Sequence, residues 1–108
     1  MSTATLIPTP HLRVEDLPAP GSEWSEYASF ASTFDPEQRY RSVDVASEVA
    51  NWAFSRWQKN GRLPESVDEI RACLYFEQRR WRFIGHEPNP EGMRWVQALV
   101  AEMRRHIR

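Results

Sequence analysis

Cysteine is all but missing from this chain of 108 residues. Cys73 stands alone, so no intrachain disulfide is possible. A single thiol fits a reducing compartment. Lysine is equally scarce: Lys59 is the only one, and the other thirteen basic residues are Arg. A codon bias toward Arg gives the same count, so the surplus is not read as function. The four glycines are dispersed at breaks or helix starts, which excludes a phosphate-cradling glycine loop. No apolar run approaches the length of a bilayer span. Residues 1–8 show neither a basic n-region nor an apolar h-region, so a signal peptide is not expected. The expected setting is cytoplasmic. A net charge of -1 exerts no global pull toward nucleic acid or an anionic membrane.

What the chain does have is apolar and aromatic mass. Apolar residues make up 41 % and aromatics 12 %, with five Trp, a composition that excludes a disordered chain. At this length one domain with one core is expected, burying roughly two thirds of the unfolded surface.

Half of the eight prolines fall within residues 1–22. Proline removes an amide donor and biases its predecessor toward extended backbone. Residues 1–22 therefore read as a Pro-rich extended arm, and residues 23–108 as a single helical domain.

Four helices are legible in that domain. The first follows Ser22 as N-cap, with Trp24, Tyr27, Ala28, Ala31 and Phe34 at helical spacing. Asp35, Pro36 and Gln38 then read as a fresh cap and restart. The second helix covers about 43–59, with Ala46, Val49, Ala50, Ala53 and Trp57 in one stripe and Asn60-Gly61 as its stop. Ser66 and Glu69 form a capping-box signature for the third, which runs 67–84 to Gly85. Asn89 followed by Pro90 opens the fourth, whose apolar face repeats through Met93, Val96, Val100, Met103 and Ile107. Short links predict antiparallel packing of consecutive helices. The expected fold is all-α, a small bundle of about four antiparallel helices.

Residues 67–84 are apolar on two sides. Val67, Ile70, Cys73, Leu74, Trp81 and Ile84 share one; Ala72, Phe76 and Phe83 share another. A helix of that kind is expected at the centre of the bundle. Glu77 falls within the main stripe. A buried carboxylate must be paired or protonated, so Glu77 and Arg80, three residues on, form a candidate buried ion pair, with Arg39 and Arg56 as more distant partners. On this reading Glu77→Ala costs stability. The other reading makes Glu77 a catalytic acid in a pocket.

Two surfaces are candidates for function. Trp52 and Trp95 lie at the edges of their stripes; with Phe76 and Phe83 they form a candidate partner interface, since tryptophan anchors interfaces as well as cores. The second surface is a candidate anion or nucleic-acid strip. Arg71, Tyr75 and Arg82 line up with Gln78 along the third helix, Arg79 lies beside them, and Arg104 and Arg105 crowd the end of the fourth. Helix-dipole complementation accounts for these cations equally well.

His11, His86 and His106 are scattered and form no ligand motif, so neither a metal site nor a cofactor is expected. The expected function is a helical protein-interaction module, with a protein partner or a second copy of the chain. The alternative is an accessory protein that binds nucleic acid or another anion. No membrane partner is expected, and an enzyme is the weakest reading.

Overall fold

The computed structural model describes residues 12–35 and 40–107. It is all-α: α1 (Trp24–Ala31), α2 (Val43–Asn60), α3 (Val67–Ile84) and α4 (Pro90–His106) form a small bundle, with no strand among the described residues. Pro36, Gln38 and Arg39, invoked above as a restart and as a distant partner for Glu77, lie outside the described residues, as do residues 1–11.

The punctuation acts as its chemistry requires, with one exception. Ser42, Ser66 and Asn89 each accept a backbone N–H three residues on, so α2, α3 and α4 begin on satisfied donors. Gly61 and Gly85 close α2 and α3 in left-handed backbone, with φ of 69° and 91°. The exception is Ser22. Its hydroxyl donates to the Ala19 carbonyl, and Glu23 becomes the N-cap of α1 without a side-chain bond. The first helix also stops early, at Ala31. The hydroxyls of Ser32 and Thr33 donate to the carbonyls of Ser29 and Phe30, and that local competition turns the chain.

Three helices cover α3: α1, α2 and α4 all pack on it. From α3, Ile70, Ala72, Cys73, Leu74, Glu77, Gln78 and Trp81 are buried. Tyr27 and Ala31 of α1, Ala50 and Ala53 of α2, and Val96, Leu99, Val100 and Met103 of α4 complete the core, joined by Phe34. The buried stripe of α2 is all alanine (Ala46, Ala50 and Ala53), while Tyr27 of α1 and the face of α4 supply the larger side chains. The segment before α1 folds onto the same core. Leu17 is buried after a short 3-10 turn at Val14–Asp16, Arg104 donates to the Pro18 carbonyl, and the Tyr27 hydroxyl reaches the Ala19 carbonyl at 3.4 Å.

Trp95 corrects an expectation. Placed at a stripe edge by periodicity, it is only 1 % exposed. Phe54 and Trp57 of α2 lie across it, with ring centroids at 5.5 and 5.0 Å. The edge of a stripe on one helix is not the edge of the core when a neighbour brings its own rings. Trp95 is thus excluded from any docking surface. Ile84 departs in the opposite sense: it shares the main stripe of α3 yet is exposed, because it lies on the last turn.

Gly92, in the first turn of α4, is buried against α3. A Cβ there would lie 3.0 Å from the Trp81 ring and 3.2 Å from the Pro88 Cβ. Both neighbours are rigid. Gly92→Ala is expected to destabilise by about 1 kcal/mol, the overpacking cost outweighing the helix propensity gained. Trp95→Ala should cost about 3–5 kcal/mol, as deletion of a sealed aromatic ring does. Urea denaturation measures both, and a loss for Trp95→Ala below that of Gly92→Ala would contradict the packing described.

Candidate functional site

The end of α3 carries the densest chemistry. Trp81 is held from three directions. Its Nε1–H donates to Glu77 Oε1 at 3.1 Å, one turn back and buried. Gly92 of α4 sits against one edge of the ring, and the His86 ring is tilted across it at 5.7 Å. Arg80 Nε lies 4.0 Å from Glu77 Oε2, at the limit of an ion pair, with its guanidinium half exposed and 5.9 Å from the Phe54 ring. The expected Glu77–Arg80 pair is therefore loose. The close partner of the carboxylate is the indole.

Burial pushes the Glu77 carboxyl above the ordinary glutamate range, while Arg80 and the Trp81 hydrogen bond oppose that shift. Arg56, named above as a distant partner, has other engagements. Its guanidinium stacks on the Trp52 ring at 4.3 Å and donates to the Leu63 carbonyl. Glu77 is buried, and its Oε1 is taken up by the Trp81 indole. Cys73 is buried too; desolvation and nearby acids push its thiol up, away from the nucleophilic thiolate.

Outside Trp81 lies an open cleft of about 410 Å³. One wall is the start of α1, with Trp24 and Ala28. The other is the end of α3, with Gln78, Trp81 and Arg82, and the turn of Gly85, His86 and Glu87 closes one end. Gln78 was expected on a solvated strip but is only 9 % exposed, because α1 packs over that side of α3.

The same packing breaks up the Arg strip. The Arg71 guanidinium sits 4.4 Å over the Phe34 ring, and burial lowers its pKa against the opposing charge of Asp68. Arg79 donates to the Tyr75 hydroxyl at 3.3 Å, and the Tyr75 ring meets Phe76 edge-on at 5.2 Å. Arg104 is turned into the Pro18 carbonyl, and Arg105 lies 3.7 Å from Glu102, which also holds His106 at 3.2 Å. Arg82 keeps its guanidinium free of partners among the described residues, and it faces the cleft.

The expected partner interface divides in the same way. Phe76 packs partly against the core. Phe83 is 92 % exposed and Trp52 56 %. Sequence reasoning missed Trp24 and Gln78 as cleft residues. The spacing of Gln78 with Arg82 and of Trp24 with Ala28, both i to i+4, was the available signal.

Among the described residues no group of His, Cys, Asp and Glu converges on a metal-sized site, and no helix is long and apolar enough to cross a membrane. Comparison with protein-family models, with curated proteins and with solved structures finds no match for this chain.

The raised value at Glu77 has a definite sign in the stability curve. Between its ordinary unfolded value and the higher folded value, the native state holds a proton that the unfolded state has released. Stability from this group therefore falls as pH rises through that window and then levels off. Glu77→Gln keeps an acceptor for Trp81 and removes the proton. Urea denaturation from pH 4 to 8 is expected to show the variant gaining on the parent as pH rises. A variant that instead loses ground to the parent as pH rises would mean that the carboxylate is stabilised in the fold.

Proposed function

We propose that this chain is a protein-interaction module that pairs with a second copy of itself through rings left outside its core. The observation that carries the reading is the exposure of Phe83 and Trp52 in a bundle that buries Trp95, Tyr27 and Trp81. Exposed Ile84 extends the Phe83 patch along the end of α3, and exposed Val45 lies two turns before Trp52 on α2. Covering one such ring contributes roughly 1.5–3 kcal/mol, and Trp anchors are among the residues that dominate interfaces. A helical module of this kind needs neither a catalytic acid nor a cofactor.

Nucleic-acid or anion binding along Arg71, Tyr75, Arg79 and Arg82 draws less support. Arg71 is spent on Phe34, Arg79 on Tyr75, Arg104 on Pro18 and Arg105 on Glu102. A phosphate ligand would have to displace these contacts one by one.

Sedimentation equilibrium from micromolar to millimolar protein tests the proposal. A reversible monomer–dimer equilibrium is expected, weakened about tenfold or more in the Trp52→Ser, Phe83→Ser double variant with an unchanged melting temperature. Apolar contacts should make it insensitive to salt, whereas phosphate contacts give a steep salt slope in a nucleic-acid titration. A protein that stays monomeric throughout, or a dimer indifferent to both substitutions, overturns the reading.

A further inference from the structure

The cleft at the end of α3 is separate from the exposed rings and has features that self-association does not use. Gln78 is nine-tenths buried, lines the cleft, and has no hydrogen-bond partner for its amide among the described residues. Its amide is not sealed from solvent, since the buried polar side-chain atom left without a partner among the described residues is Arg56 Nε; the Gln78 donors and acceptor therefore reach the cleft and can exchange water for a ligand. Arg82 stands on the same wall, one turn on, without a carboxylate among the described residues, although Glu87 borders the same space.

Two indoles complete the site. Trp24 and Trp81 come from different helices and both border the cleft; Trp24 is partly exposed, whereas Trp81 is 7 % exposed and contributes only the small part of its ring left uncovered. Trp81 is preorganised: its N–H is tied inward to Glu77, Gly92 fits its edge, and His86 holds the ring from outside. A wall that is already rigid need not lose conformational entropy when a ligand arrives. The volume, about 410 Å³, lies within the range of small-molecule sites. Aromatic surface by itself would also suit an organic cation, but the Arg82 guanidinium beside it opposes one.

We propose that this cleft binds a small planar aromatic molecule carrying one anionic group. The ring lies against Trp24, beside the uncovered part of Trp81, the anion takes the fork of Arg82, and the Gln78 amide bonds to a polar atom on or beside the ring. Arg presents the same bidentate geometry to a carboxylate and to a phosphate, so the shared chemistry is a flat ring with an oxyanion. An aryl carboxylate and a nucleoside monophosphate are the two sources.

Heteronuclear NMR on the full chain tests this, with protein below the concentration at which it dimerises. The probes are indole-3-carboxylate and adenosine 5′-monophosphate, with indole, acetate and inorganic phosphate as single-feature controls. Saturable shifts of the Trp81 indole N–H and of the amides around Gln78 and His86 are expected with at least one two-feature probe. The probe that binds identifies the source. Each control should bind about tenfold more weakly or worse, and Arg82→Gln, a change on an exposed side chain, should weaken the probe by about tenfold. Gln78→Met should weaken it too, with thermal unfolding confirming that the variant folds. No saturable shift with either probe at millimolar concentration overturns the proposal. So does an affinity unchanged by Arg82→Gln, or one matched by acetate or phosphate alone.

Discussion

A helix that buries Ile70, Cys73, Leu74 and Trp81 on one side and Ala72 on another cannot be sheltered by one neighbour, because a helix contact covers only a stripe. α3 therefore gathers α1, α2 and α4 around itself, and the positions of all three follow from that demand. The caps and glycine stops set where each helix begins and ends. Burial of α3 decides how they are arranged. Even the segment preceding α1 conforms, with Leu17 inserted in the same core and Arg104 of α4 reaching back to Pro18.

Placing Glu77 inside that helix has a cost and a use. Desolvation disfavours its charge, and the loose approach of Arg80 offsets this only in part. In return the carboxyl gives the Trp81 indole a fixed hydrogen-bond partner. A tryptophan at the end of a helix would otherwise have freedom to swing. Here its ring is pinned as a wall, with Gly92 and His86 completing the clamp. The buried acid and the open cleft are thus two sides of one arrangement, the first positioning what the second displays.

Several of the described arginines differ sharply in environment. Arg56 and Arg71 stack on Trp52 and Phe34, joining cation to ring. Arg104 and Arg105 serve the last turn of α4, near backbone and acid partners. Arg82 faces the cleft without such a partner among the described residues. A basic strip drawn on a helical wheel merges these environments, because the wheel does not carry the neighbouring helix. Planar, delocalised guanidinium suits stacking, and that suitability removes Arg71 from the pool of cations open to a ligand.

The limits of α2, α3 and α4, the all-α class and the centrality of residues 67–84 were legible in the chain, since caps, glycine stops and a 3.6-residue period are local or nearly local signals, whereas both ends of α1 were not. Burial of Glu77 was legible for the same reason: its position within an apolar stripe fixes its side of the helix. Whether a given ring faces core or water was not. Trp95 and Trp52 occupy similar edges of similar stripes, yet Phe54 and Trp57 lie across the first, while the second carries Arg56 over its ring and stays exposed. The cleft was hidden for the same physical reason. Trp24 and Gln78 are fifty-four positions apart, and only the packing of α1 on α3 places them on facing walls, because contact across helices depends on crossing geometry that no single-helix periodicity encodes.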